Sequence, residues 1–206
     1  MLLIGQYDSP FVRRVAIALR LYEMTFEHRP WSTFGDGDKI AAYNPLRRVP
    51  TLVLDDGEVL IESAAILDHL DEEAGAARAL IARSGPQRRQ ALKTCALATG
   101  LADKAVILFY EGALHREKSE RWVERCQTQI GAVLDALERD RAERRHPFWF
   151  GEAIGHADIA VASALRFVRE VHPPLIGERP ALAAHAARCE ALPVFAEICQ
   201  PFIPPA

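Results

Sequence analysis

Three short stretches of the chain carry side chains whose type and spacing could do chemistry. At Tyr7-Asp8-Ser9-Pro10 a hydroxyl stands where an apolar run ends and a helical pattern begins. A serine there can cap the helix by accepting a backbone N–H. Alternatively its own O–H, beside the helix N-terminus, can meet an anion. Tyr7 offers a second hydroxyl two residues earlier, on the opposite face from Ser9 if the strand continues. At Glu62-Ser63 a carboxylate could hold an ammonium group, while Ser63 and the free N–H groups of the following helix could hold a carboxylate. The plainer alternative is a helix cap beside a solvated charge. Arg47 and Arg48 stand just before Val49-Pro50, and a guanidinium suits carboxylate recognition. Arg13 and Arg14 read as solvated or structural.

The four cysteines, Cys95, Cys126, Cys189 and Cys199, all fall from position 95 onward. Their spacing fits neither CxxC nor a zinc site, so they read as free thiols in a reducing compartment. The seven histidines do not cluster. No metal is expected.

The elements that must position these residues follow from periodicity. Leu2 to Tyr7 is a short apolar run. Val12, Val15, Ala16 and Leu19 recur at helical spacing behind Ser9 as cap and Pro10 as first helical residue, with Arg13, Arg14 and Arg20 mostly on the other side. Phe26 to Arg29 alternates like a strand. A loop through Gly35 and Gly37 then leads into a short helix before Asn44-Pro45. Thr51 to Leu54 and Val59 to Ile61 are strands joined by the turn Asp55-Asp56-Gly57. Glu62-Ser63 opens a helix with Ala65, Ile66, His69 and Leu70 on one face. After a break from Gly75 to Gly85 the strand signals vanish. Helices are predicted over Gln87 to Gly112, Lys118 to Arg144, Asp158 to Glu170 and Pro180 to Glu190, with a further one from Pro193. The ending Pro201-Phe202-Ile203-Pro204-Pro205-Ala206 cannot be helical.

Composition sets outer limits. The 206 residues are half hydrophobic and about a quarter charged, with a net charge of −3. That balance suits a globular protein able to bury a core without staples. No basic stripe suggests nucleic acid, and no run of about 18 apolar residues suggests a membrane span. The N-terminus does not resemble a signal peptide, so a cytoplasmic location is expected.

Four blocks of sequence together resemble the cytosolic glutathione transferase family. They are Ser9-Pro10-Phe11-Val12-Arg13-Arg14-Val15, Asn44-Pro45-Leu46-Arg47-Arg48-Val49-Pro50-Thr51-Leu52, Glu62-Ser63-Ala64-Ala65-Ile66, and Gly151 through Ala157-Asp158-Ile159. The Ser-Pro-Phe-Val start is similar to the serine-type classes, including the plant tau class and many bacterial members. Asp8-Ser9-Pro10 departs from the Ser-Ser-Cys usual in maleylacetoacetate isomerases. The resemblance implies an α/β plus all-α fold: a thioredoxin-like domain (β-α-β-α-β-β-α) over 1–76, a linker over 77–85 and a helical bundle over 86–206.

The resemblance also implies roles. Glutathione would be the co-substrate, with Ser9 activating its thiol and Tyr7 as fallback. Lowering an ordinary thiol pKa of about 8.5 by about two units takes about 2.7 kcal/mol of differential stabilisation, which a hydroxyl and a helix N-terminus can supply. Val49, before a cis Pro50, would pair with the cysteinyl backbone. Glu62 and Ser63 would hold the γ-glutamyl end, and Arg48, ahead of Arg47, the glycyl carboxylate. Phe11, Trp31, Phe34, Ile107 and Tyr110 would line a site for a hydrophobic electrophile between the domains. Asp158 would stabilise its helix by reaching back to the Gly155 N–H, Gly155 standing where the family usually has Ser or Thr. A homodimer is implied as well. The rivals are a glutathione-dependent peroxidase, isomerase or dehalogenase, and a glutathione-binding protein without turnover.

Overall fold

The computed structural model describes residues 1–204; Pro205 and Ala206, the end of the expected non-helical tail, lie outside the described residues. The chain forms two compact units, one of Met1–Arg83 with the segment from Leu192 onward, the other of Ser84–Ala191. The first holds a four-stranded sheet in the order β2-β1-β3-β4: β1 (Leu2–Ile4), β2 (Glu27–Arg29), β3 (Thr51–Val53) and β4 (Val59–Ile61). β1 runs parallel to β2 and antiparallel to β3, with Leu3 opposite both His28 and Leu52. Helices α1 (Pro10–Leu21), α2 (Gly37–Ala41) and α3 (Ser63–Ala74) complete the thioredoxin-like order, with α1 packed on α3. Leu3, Ile4, Val12, Val15, Leu19, Leu52, Ile66 and Leu70 are removed from solvent and form its core.

The structure differs from the sequence reading at several points in this unit. β1 stops at Ile4, because Gly5 adopts φ +128, a conformation that ends the pleat and that side chains rarely take. The face alternation assumed between Tyr7 and Ser9 therefore does not apply. Arg13 and Arg14 are buried, since α1 is enclosed on nearly every side. On α3 it is Leu67, not Ala65, that turns inward. Finally, the segment from Leu192, grouped in sequence with the helical bundle, packs with the first unit through α9 (Pro193–Glu197). Its anchor is Arg13, which donates to the carbonyls of Ile198 and Phe195 at 2.9 and 3.0 Å.

The second unit is all-helical: α4 (Gly85–Leu114), α5 (Glu120–Ala142), α6 (His156–Val171), α7 (Pro173–Ile176) and α8 (Pro180–Glu190). The short α7 has no counterpart among the sequence expectations. α6 is the buried centre, packed against α4 and α8. Its start is fixed by Asp158, which accepts from the N–H groups of Gly155 (2.9 Å) and Trp149 (2.7 Å). Glycine has no oxygen to return the bond, so this is half a capping box. Behind it lies His185, fully buried, its Nε2 3.6 Å from Asp158 Oδ1 and its ring edge-on to Trp149.

Burial pulls the His185 imidazole down to about 4, helped by the Arg141 charge, and burial pushes the Asp158 carboxyl up to about 6. A base kept neutral by the fold loses its stabilising contribution as pH falls from about 6.5 toward 4, because the unfolded chain takes the proton first. The raised carboxyl has the opposite slope between about 3.8 and 6, since the folded chain binds that proton more tightly. Removing the imidazole should leave one slope alone. In His185→Gln the stability deficit, read by urea unfolding, should be largest near neutral pH and shrink toward about pH 4.5. A deficit independent of pH would contradict a buried neutral imidazole.

Candidate active site

The site is built where three backbone segments crowd together. A methyl group on Gly5 would come within 2.5 Å of Val12 Cγ2 and 2.8 Å of Val49 Cβ. Only glycine lets the end of β1, the first turn of α1 and the loop before β3 meet there. Asn44 organises that last loop. It is 1% exposed; its Nδ2 donates to the Arg48 carbonyl (2.9 Å) and Thr51 Oγ1 (3.2 Å), and its Oδ1 accepts from the Leu46 N–H (3.0 Å). Thr51 Oγ1 donates to the same Arg48 carbonyl at 3.1 Å. The Val49-Pro50 peptide is cis.

Phe11, Asn44, Arg48, Val49, Pro50, Glu62 and Ser63 line one cleft. It gathers the five residues assigned from sequence to glutathione, together with Phe11 from the electrophile set. Arg47 takes another direction: with φ +53 it turns toward α2 and pairs with Asp38 at 3.1 Å. Arg48 instead lies 3.5 Å from Glu62, both side chains more than half exposed. Such surface pairs contribute at most about 1 kcal/mol, so a charged ligand could readily exchange with it.

Glu62 stands at the N-cap of α3 with φ 67 and ψ 118, outside the wells that side chains favour. Residues held this way typically carry about 1–3 kcal/mol of strain and cluster at ligand sites. The conformation brings the Glu62 carboxylate and the buried Ser63 to the same cleft as the start of α3, whose first N–H groups lack intrahelical partners. The arrangement offers an anion at the cleft wall, a hydroxyl and a helix N-terminus beside it.

Ser9 is the N-cap of α1, its Oγ accepting from the Val12 N–H at 3.4 Å. Accepting that bond leaves the hydroxyl proton able to donate, so capping and donating to an anion are compatible. Tyr7 faces β2 instead. Its ring stacks on His28 with centroids 3.9 Å apart, and burial pushes its phenol above the usual range, partly offset by Arg20. His28 Nε2 in turn bonds the Gly5 carbonyl at 2.7 Å. The fallback hydroxyl thus belongs to the edge of the sheet away from β3 and α3.

The remaining electrophile candidates belong to both units. Trp31 packs near Tyr43 with the charges of Arg29 and Lys39 over its ring, and Phe34 is exposed in the loop before α2. Ile107 and Tyr110 are half-buried on α4. No group of His, Cys, Asp or Glu placed to hold a metal occurs among the described residues, and none of their helices is long and apolar enough to cross a membrane. Sequence reasoning missed the roles of Gly5 and Asn44. The Asn-Pro turn signal at 44–45 was the visible clue to the second.

The models of the glutathione S-transferase N-terminal and C-terminal domains match residues 3–78 and 120–188. The chain belongs to the glutathione S-transferase family. It is 31% identical over 185 residues to the uncharacterised GST-like protein YibF of Escherichia coli, covering 88% of this chain and 90% of that one. It is 29% identical over 176 residues to the maleylacetoacetate isomerase of Pseudomonas aeruginosa, covering 80% of each. A crystal structure of a glutathione S-transferase from Methylobacterium radiotolerans, in complex with glutathione sulfonate, superposes with a TM-score of 0.89 at 25% identity, over 100% of this chain and 98% of that one. Within this transferase, the strained Glu62 separates fold from function. Glu62→Gly should raise stability by about 1 kcal/mol while weakening retention on immobilised glutathione. Unchanged retention would remove Glu62 from the ligand site.

Proposed function

We propose that this transferase conjugates the glutathione thiolate to a hydrophobic electrophile, with Ser9 donating the hydrogen bond that holds the sulfur ionised. The observation that carries the reading is Ser9 at the N-cap of α1, its Oγ accepting from the Val12 N–H, two residues before the cleft-lining Phe11. In the proposal the Val49 backbone pairs with the cysteinyl residue beside Pro50. Glu62 holds the ligand ammonium, and Ser63 with the start of α3 holds the adjacent carboxylate. Arg48 leaves its exposed pair with Glu62 for the glycyl carboxylate. Phe11, Trp31, Phe34, Ile107 and Tyr110 provide apolar surface for the electrophile. A homodimer is part of the proposal on family likeness alone; a sedimenting species of 22.9 kDa would remove it.

A second reading is isomerisation, favoured by the likeness to the Pseudomonas aeruginosa maleylacetoacetate isomerase. Both reactions begin with a thiolate. They differ in whether the sulfur stays attached to the product, so product analysis with a chlorinated aromatic and with a cis-enedione separates them.

The hydroxyl itself is tested by Ser9→Ala with the chlorinated aromatic. Losing one hydrogen bond to a charged sulfur should cost about 1.5–3 kcal/mol, or about one to two pKa units. A depressed thiol pKa gives thiolate above it and loses thiolate as pH falls through it. The variant's kcat deficit should therefore be large near pH 6.5 and small near pH 9, both approximate points bracketing the ordinary thiol. A cap alone predicts about 1 kcal/mol of lost stability and a pH profile parallel to that of the wild type.

A further inference from the structure

The loop from Gly5 to Ser9 carries the hydroxyl on which the proposed chemistry turns. Some of its hydrogen bonds are made nearby: Gly5 N–H donates to the Arg29 carbonyl at 2.9 Å and Ser9 N–H to the Gln6 carbonyl at 3.2 Å. Others reach the far end of the chain. Tyr7 N–H donates to Gln200 Oε1 at 3.2 Å, across 193 residues of sequence. Asp8 Oδ2 accepts from the Ile203 N–H at 3.3 Å, across 195. Both residues immediately before Ser9 are thus tied to the C-terminal tail.

The tail has a fixed point of departure. Arg13, buried in the first turns of α1, donates to the Phe195 and Ile198 carbonyls, and its guanidinium lies 5.2 Å from the Phe195 ring centre. Arg20 pairs with Glu197 at 2.9 Å. Beyond Ile198, Pro201 and Pro204 restrict the backbone, so less freedom is lost in holding the segment in place. The core of the unit is made by the sheet, α1 and α3 with Ile40, Phe195 and Ile198, while beyond Ile198 the tail is exposed at Pro201, Ile203 and Pro204 and half-buried at Phe202. Contacts from this segment to the 5–9 loop therefore set a loop position more than they hold the fold.

We propose that residues 199–204 form a strap that positions Ser9 against the glutathione sulfur, with Gln200 as the positioning residue. The proposal rests on the reading that Ser9 donates to that sulfur. Hydrogen bonding to a thiolate depends steeply on placement, and a misplacement of about 1 Å can cost on the order of a hundredfold in rate. The Gln200 bond acts on the backbone two residues before the hydroxyl, which is close enough to shift it by a fraction of that.

The test compares wild type, Gln200→Ala, Gln200→Glu and Ile203→Pro, with Ser9→Ala as reference. Glutamate keeps an acceptor oxygen for Tyr7 N–H, and proline at the exposed position 203 removes the donor to Asp8 without touching the core. Gln200→Ala and Ile203→Pro should lower kcat by about 3- to 10-fold near pH 6.5, with the acid limb of the profile moved toward higher pH. Glutathione affinity and the thermal midpoint should stay near wild type, and Gln200→Glu should restore the profile. Profiles of Gln200→Ala and Ile203→Pro that superimpose on wild type, while Ser9→Ala shifts, would overturn the strap and leave the Ser9 reading intact. If Ser9→Ala leaves the profile unmoved, the Ser9 reading fails and the strap falls with it. A loss of glutathione affinity or of thermal stability with an unshifted profile would also overturn the proposal.

Discussion

The architecture of the site depends on one close approach. At Gly5 the end of β1, the first turn of α1 and the loop before β3 touch with no room for a side chain. That contact ends the strand early, aims the chain into α1 at Ser9, and seats Val49 beside the helix start. A bulkier residue would have to push apart the two segments that carry Ser9 and the Val49-Pro50 peptide. Asn44 then fixes the far side of the same loop, its amide donating to the Arg48 carbonyl and Thr51 and accepting from the Leu46 N–H. One small residue and one buried amide hold the geometry that the charged residues decorate.

The charges themselves are held loosely. Arg48 and Glu62 face one another across exposed side chains, an arrangement that salt screens easily and that contributes little to stability. The rigid component is backbone: the positive φ of Glu62, the N-terminus of α3, and the N-terminus of α1 behind Ser9. Pre-set dipoles of this kind stabilise an anion without reorganising when it forms, which suits holding a thiolate in readiness. The second unit follows a different logic. There a carboxylate and an imidazole are buried with backbone partners, and Asp158 serves the start of α6 and the Trp149 loop at once.

Much of this was legible in the sequence, because the decisive signals are local. Ser9-Pro10 ahead of apolar residues at helical spacing marked α1, and Asp55-Asp56-Gly57 between two short apolar runs marked the β3–β4 turn. The cleft residues were legible only through resemblance, since Glu62-Ser63 read alone is an ordinary helix start. What could not be read is long-range. Arg13 looks like a surface residue until the carbonyls of Phe195 and Ile198, more than 180 positions away, come to meet it. Tyr7 looked like a rival hydroxyl because nothing local tells that Gly5 ends the strand and that His28 captures the ring. On α3 the inner stripe is Ser63, Ile66, Leu67 and Leu70, an ordinary i, i+3, i+4, i+7 spacing that the reading through Ala65 and His69 missed by one position.

On the proposed function, this protein makes glutathione a thiolate at neutral pH. Titrating the ultraviolet absorbance of the thiolate with glutathione bound to the wild-type protein measures that directly. The expected result is an apparent pKa about two units below the ordinary thiol value of about 8.5. Glutathione that binds yet ionises at the pKa of the free peptide would contradict it.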